Sequence, residues 1–439
     1  MTPVSCTKMI ATVSPLTDDE ETLKGFITEG IRIFRINFSH GTTEEHAKTI
    51  ANLRKVSKEM GVVITICLDT RGPELRIEIA NTSEIPMKKG ENVTFMNVRK
   101  PSGVFLGIED FTEITPGSKI YLDDGMMGIE VIETTKNKCV GMVLNTHRLK
   151  NNKKVCFPGT VFKNSISIKK DKEDIQFGIE NDIDIIFASF VNNKEEVEEL
   201  RKWVHNKDIK IYSKIETLRG YHNIDEIIEA SDGIVIARGD LCVELNYNEM
   251  FSAQKIISEK CLKANKPFIC ATQMLETMIN NVKPSRAEIT DIGNAVLDRC
   301  DGLMLSGETA VGEHPVLVVE HLRNIISNAE RFYYEKARVN FKCPLIQPRS
   351  QNTCVIIRSS SEKAIDIIYR RQFVIPVFIV SDDEKFLRRV NLYRGLIPHL
   401  TKETSILYVI NEIKDLHAFE RIYYVEMNAN HAVQRIEVF

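Results

Sequence analysis

Long apolar runs are missing from this 439-residue chain, and so is any large excess of charge of one sign. No stretch reaches the roughly 18 apolar residues that a membrane-spanning helix needs. Lys and Arg total 58 against 61 Asp and Glu, a net charge of −3, so no global field gathers nucleic acid or an acidic membrane. Partners must therefore be recognised locally. The opening MTPVSCTKMIATVSP lacks the basic, apolar and cleavage-site order of a secretory leader, which leaves the cytoplasm as the expected location. The ten cysteines contain no C-x-x-C pair, and Cys67 and Cys270 fall inside apolar strand candidates. They read as reduced core residues, not as a disulfide frame or a zinc cluster.

What the chain does have is ordinary globular content, 43% hydrophobic and 27% charged, arranged in a repeating order. Eight apolar, β-branched runs stand at 7–13, 31–38, 62–69, 183–190, 209–215, 233–238, 267–272 and 302–306. Segments of helical period lie between them, opened by capping spacings such as Thr17-x-x-Glu20 and Asn193-x-x-Glu196. Strands buried on both faces and followed by helices imply a parallel sheet. Eight such units close most economically into a (β/α)8 barrel, with an open doubly wound sheet as the rival.

Regularity breaks twice. After the third run, short alternating segments (93–96, 120–122, 139–144) separated by Gly90, Gly107, Gly117 and Gly125 read as a small all-β insert. After the eighth, 341–350 reads as a linker, and 352–439 as a further α/β domain, with strands expected at 353–357, 376–380, 405–410 and 421–426. The expected division is 1–70 with 165–335 for the barrel, 71–164 for the insert and 345–439 for the C-terminal domain.

In such a barrel the chemistry belongs at the carboxyl ends of the strands. Polar residues cluster there on six of the eight runs: Arg35-Ile36-Asn37-Phe38-Ser39-His40, Asp69-Thr70-Arg71-Gly72, Lys214-Ile215-Glu216, Ala237-Arg238-Gly239-Asp240, Thr272-Gln273 and Ser306-Gly307-Glu308-Thr309. Lys214 and Glu216 alternate and so share a strand face. That pattern fits a structural ion pair or a reactive one. Glu216 with Asp240 makes an oxygen pair suited to Mg2+ rather than to a soft metal. Gly239, without a Cβ, lets backbone amides approach an anion, although an ordinary tight turn needs glycine equally. The oxygens of Asn37, Ser39, Asp69 and Thr70 suit a weakly hydrated monovalent cation.

The order RINFSHG, LDTRGPELR, DDG, SKIE, ARGDL, CATQMLETM and LSGETA resembles the pyruvate kinase family, with strong coverage from Lys8 to about Glu330. The resemblance implies a TIM barrel carrying an inserted β-barrel lid and a C-terminal α/β domain. It also implies an enzyme that moves the phosphoryl group of phosphoenolpyruvate to ADP, giving pyruvate and ATP in the last step of glycolysis. By it, Lys214 neutralises charge on the transferring group; Arg35 meets the phosphate; Gly239 and Thr272 meet the carboxylate end. Glu216 and Asp240 hold Mg2+ or Mn2+, and Asn37, Ser39, Asp69 and Thr70 hold K+. His40, Arg76 and Lys170 meet the nucleotide phosphates, and Glu74 matches members that depend on K+.

Several positions depart from the family pattern: Ser14 precedes Pro15, Cys242 follows ARGDL, and Arg71 and Arg219 replace other residues. The C-terminal domain lacks most of its opening helices and its glycine-rich closing loop, though Ser359-Ser360-Ser361 keeps part of a phosphate loop. Weak activation by fructose bisphosphate and a homodimer or homotetramer are the corresponding expectations. An aldol or lyase barrel that uses the same metal pair, and an inactive scaffold, are the competing readings. Replacing Lys214 with Met is expected to abolish turnover and leave folding intact.

Overall fold

A computed structural model describes residues 5–100, 103–160, 168–205, 208–337, 353–370, 375–417, 419–427 and 433–439. The expected linker at 341–350 lies outside these residues.

All eight apolar runs form strands, Lys8–Val13, Ile33–Asn37, Thr65–Asp69, Ile185–Ala188, Lys210–Ile215, Gly233–Ala237, Phe268–Ala271 and Gly302–Leu305. They pair in parallel into one closed barrel, the first strand meeting both the second and the last. The open doubly wound sheet is thereby excluded. Alternation sorts each strand's side chains into two cores. Ile10, Ile33, Ile185, Phe187, Tyr212, Val235, Ile269 and Met304 fill the barrel, while residues such as Phe34, Leu68, Ile211, Ile236 and Leu303 pack outward against the helices. Each fully buried aliphatic side chain contributes roughly 1.5–3 kcal/mol, so this double burial dominates the stability of the unit.

Capping holds the helices in phase with the strands. Asn193 accepts the Glu196 amide at 3.0 Å as expected. The first helix, Glu20–Thr28, is capped by Asp19 rather than by Thr17, whose hydroxyl instead turns back to Ser14. An acidic N-cap serves the same orphan amides and adds a favourable charge at the helix start.

The third and fourth barrel strands are direct neighbours, Cys67 opposite Ile185, although the inserted segment separates them in sequence. That segment forms its own closed barrel of seven strands around Phe95, Phe111, Ile120, Leu122, Met127 and Ile129. It leans on the eight-stranded barrel unit through Tyr247 Oη to the Asp124 carbonyl (3.1 Å) and Cys156 Sγ to Glu244 Oε1 (3.0 Å).

The C-terminal residues form a five-stranded sheet, parallel except for the antiparallel strand Val433–Val438. The expected strand at 405–410 is instead the start of the helix Ile406–His417, and the third strand is Leu396–Leu400. The run ILYVI carries strand-type residues, but Val409, Ile410 and Ile413 recur at helical spacing and are the ones buried; period outweighs propensity here. This sheet docks on the foot of the barrel, where Tyr369 Oη lies 3.0 Å from Asp301 Oδ2 and Arg388 Nη1 lies 2.6 Å from Asp182 Oδ2.

Candidate active site

The carboxyl ends of the strands open into a cavity of about 810 Å³ between the barrel and the inserted β-barrel, lined among others by Thr70, Ser189, Glu216 and Asp240. The fifth strand, Lys210–Ile215, carries Lys214, and Glu216, which lines the cavity, follows directly. Lys214 Nζ lies 2.9 Å from Asp69 Oδ1, 2.7 Å from Ser189 Oγ and 3.1 Å from Glu216 Oε1. Burial would depress the lysine, but Asp69 and Glu216 outweigh it and hold the ammonium above its ordinary value.

Asp69 is shared. Its second oxygen takes Arg35 Nε at 2.5 Å, and Arg35 also donates to Thr12 Oγ1 at 3.0 Å. Burial acts to raise the Asp69 carboxyl, yet Arg35 and Lys214 together pull it below the usual range. Glu216 behaves differently. Burial, with Asp240 adding repulsion, raises its carboxyl against the pull of Lys214. The two ends of the Lys214–Glu216 pair thus shift in ways that a simple ion pair does not explain. Glu216 is the under-compensated member, because Lys214 gives much of its charge to Asp69.

Under-compensation bears on metal binding. Glu216 and Asp240 line the same cavity and offer oxygen only. Among the described residues no group of three or more His, Cys, Asp or Glu is placed to enclose an ion. Two carboxylates with space for water and phosphate oxygens fit Mg2+, which keeps much of its hydration, better than they fit a closed structural site.

Asp240 stands in the first turn of the helix Arg238–Glu244. Beside it, the Gly239 amide donates to Thr272 Oγ1 at 2.7 Å, and a Cβ built on Gly239 would lie 3.3 Å from that oxygen. Thr272 and Gln273 both adopt positive φ, 69° and 54°. For a β-branched residue this conformation costs about 1–3 kcal/mol. Arg238 holds it in place: its guanidinium donates to the Thr272 carbonyl at 2.8 Å and the Gln273 carbonyl at 3.1 Å, and is anchored by Asp291 at 2.6 Å.

Asn37 and Asp69, two of the four residues expected to hold a monovalent ion, are register partners on adjacent strands. Several already serve internal donors: Asn37 Oδ1 receives the Ser39 amide at 3.2 Å, and Thr70 Oγ1 receives the Ser189 amide at 3.0 Å. The set is all oxygen, with one carboxylate, as a weakly hydrated cation requires.

Of the three residues expected to meet a nucleotide, Arg76 and Lys170 line one cavity and His40 stands near Arg76. Arg76 lines the cavity, paired with Glu74 and donating to the Asn152 carbonyl at 2.9 Å. Lys170 also lines it, on an exposed helix face, with its ammonium on Asp174. His40 is exposed near the second strand; burial of part of the ring and the neighbouring Arg76 lower its imidazole below the ordinary value, so it is neutral near pH 7. The eighth strand does not supply site groups. Glu308 accepts the Leu275 and Ser306 amides, and Thr309 ties back to Thr12.

Four contributors were not anticipated. Ser189 and Thr12 end the fourth and first strands and were findable by the strand-end rule that exposed the rest. Arg238 was quoted only as part of its motif, not as the strut under Thr272. Lys154, whose Nζ lies 2.5 Å from Asp240 Oδ1, sits in the insert, where no periodicity marks it.

A family model described as the pyruvate kinase barrel domain matches residues 4–319. Pyruvate kinase from Encephalitozoon cuniculi is 39% identical over 392 residues, covering 89% of this chain and 91% of that protein. Pyruvate kinase 1 of Trypanosoma brucei brucei is 34% identical over 417 residues, covering 89% of this chain and 84% of that protein. Pyruvate kinase from Leishmania mexicana is 40% identical over 333 residues, covering 74% and 67%. A closed eight-stranded barrel with an inserted β-barrel, matched to that model and to these relatives over most of their length, makes this chain a member of the pyruvate kinase family.

Proposed function

We propose that the chain is a pyruvate kinase whose cavity transfers the phosphoryl group of phosphoenolpyruvate to ADP, with Lys214 as the central catalytic group. The observation that carries this reading is the Lys214 ammonium, held by Asp69 and Glu216 beside a cavity that Glu216 and Asp240 line. Phosphoryl transfer asks little covalent chemistry of a protein; alignment and positive charge around the moving oxygens supply most of the rate. Lys214 and Arg35 provide that charge from fixed positions, because each is bound to Asp69 from a different side. Gly239 and Thr272 receive the carboxylate end of the substrate. The Thr272 hydroxyl, close to the same end, stands on the path of the proton that reaches the enolate carbon.

Glu216 and Asp240 would hold Mg2+ or Mn2+, and Asn37, Ser39, Asp69 and Thr70 would hold K+. When bound, the divalent ion supplies Lewis-acid stabilisation of phosphoryl charge. Arg76, with His40 and Lys170 at the periphery, meets the nucleotide phosphates. The inserted barrel covers the cavity and limits water, whose attack would turn transfer into hydrolysis.

The division into a barrel (1–70 with 165–335), a lid (71–164) and a C-terminal domain (345–439) is supported most directly for the lid, whose hydrophobic core is drawn from its own residues alone. The chain acts as a homodimer or homotetramer in the cytoplasm, with weak response to fructose bisphosphate; no helix among the described residues is long and apolar enough to cross a membrane. A coupled assay tests the reaction: ATP should form from phosphoenolpyruvate and ADP, and should require Mg2+ and K+. Aldol cleavage of a pyruvate-forming substrate without ATP production would overturn the proposal.

A further inference from the structure

Lys154 lies on the short strand Lys154–Cys156 of the inserted barrel, opposite Arg76 in register. Its ammonium crosses to the catalytic barrel. Nζ lies 2.5 Å from Asp240 Oδ1 and 3.2 Å from Glu74 Oε2, and it stands 5.0 Å from the centre of the Phe190 ring. The side chain is 20% exposed, so this is a largely desolvated contact rather than a surface pairing. Among the described residues no other ion pair links the inserted barrel to a carboxylate of the helix Arg238–Glu244. The inserted barrel also meets this helix at Glu244: Cys156 Sγ to Glu244 Oε1 at 3.0 Å and the Gly159 amide to Glu244 Oε2 at 3.4 Å.

Asp240 therefore has two claims on it. The proposed function assigns it to a divalent ion; the geometry gives its Oδ1 to an ammonium from the lid. Both cannot be met in full, since two positive centres on one carboxylate repel strongly where water is scarce. We propose that Lys154 is a positioning residue that competes with the divalent cation for Asp240, so that metal loading and the Lys154–Asp240 contact exclude each other. Lys154 keeps Asp240 neutralised, and an incoming divalent ion releases the lysine and loosens its strand, while the contacts of Cys156 and Gly159 with Glu244 keep the inserted barrel over the cavity. Metal affinity is then lower than the two carboxylates alone would set.

This inference rests on Asp240 being a metal ligand, and its test separates the two. Binding of Mn2+ to the substrate-free protein is followed by the electron paramagnetic resonance of the free ion, for wild type, Lys154→Met, Lys154→Arg and Asp240→Asn. Asp240→Asn should weaken binding at least tenfold; unchanged binding would remove the ligand assignment itself. Lys154→Met should tighten binding by about tenfold, within the usual range of coupling between two sites, and Lys154→Arg should restore the wild-type value within about twofold. If Asp240→Asn weakens binding while Lys154→Met leaves it unchanged or weaker, the competition does not exist. A second readout follows amide hydrogen exchange across 155–160. Adding Mn2+ should speed exchange in wild type and leave Lys154→Met, already faster, unaffected. A rise in the ADP KM of Lys154→Met with Mn2+ binding unaltered would assign the lysine to the nucleotide instead and overturn the proposal.

Discussion

Lys214 and Asp69, 145 residues apart in sequence, are closer to each other (2.9 Å) than Lys214 is to Glu216 two residues away (3.1 Å). The pairing that the motif suggests is thus the lesser half of the arrangement. Lys214 balances two buried carboxylates at once, and Asp69 balances two cations at once. A change at any member is felt by the others.

Removal of the ammonium should therefore do more than stop the reaction. Lys214→Met is expected to lower kcat about a thousandfold or more, as loss of a central electrostatic group does. It also leaves Asp69 and Glu216 with less compensation, and should cost about 3–5 kcal/mol of stability. Urea unfolding alongside the coupled assay checks both. This revises the expectation of intact folding drawn from the motif alone. Adding Asp69→Asn to Lys214→Met should recover part of the stability and none of the activity.

Glu216 predicts the opposite split. Because burial and Asp240 already disfavour its charge, Glu216→Gln should leave the melting temperature unchanged or higher while weakening Mn2+ binding at least tenfold. A fall in stability comparable to that of Lys214→Met would show that Lys214 depends on Glu216 as much as on Asp69.

Arg238 should matter for catalysis without touching substrate. It bonds the carbonyls of two residues in positive φ, and lysine cannot reproduce that planar fork. Arg238→Lys is expected to reduce kcat/KM for phosphoenolpyruvate about 10- to 100-fold. Thr272→Ala in the same background should add less than it does in wild type, since residues acting as a unit are not additive.

The seam at the foot of the barrel should weaken as pH rises out of the acid range. Burial pushes the Asp301 carboxyl from 3.8 to about 6, although the Arg394 and Phe268 amides and Tyr369 pull the other way. Between those values the folded state holds a proton that the unfolded chain has released, so this group's contribution to stability falls as pH rises from about 4 to about 6, then levels. Thermal melts of wild type against Asp301→Asn across pH 4.5–7 should show a difference that changes in that window and is flat above it.

Much of this was legible in the sequence because the barrel repeats one physical rule. Apolar runs buried on both faces gave all eight strands, and polar residues at their ends gave Arg35, Asp69, Lys214, Glu216, Asp240 and Thr272. The same rule overreached on the eighth strand, where Glu308 and Thr309 satisfy backbone amides and a neighbouring threonine. It was applied too narrowly on the fourth, where Ser189 lies inside the run 183–190, between Ala188 and Phe190. Contacts that cross between units carry no periodic signal. Lys154 meets Asp240 only because the inserted barrel folds over the strand ends, and the shared claims on Asp69 depend on which rotamer each cation adopts. In the C-terminal sheet, ILYVI looked extended until its helical burial was visible.

The adjacency of Cys67 and Ile185 has a consequence for how such molecules diversify. A chain that departs from one strand and returns to its immediate neighbour imposes only a closure cost, and that cost grows with the logarithm of the excursion, about 0.6 kcal/mol for each doubling. The excursion can be lengthened, trimmed or exchanged for another folded body at small thermodynamic expense to its host. Covers of different size and sensitivity can thus be grafted over one unchanged catalytic floor.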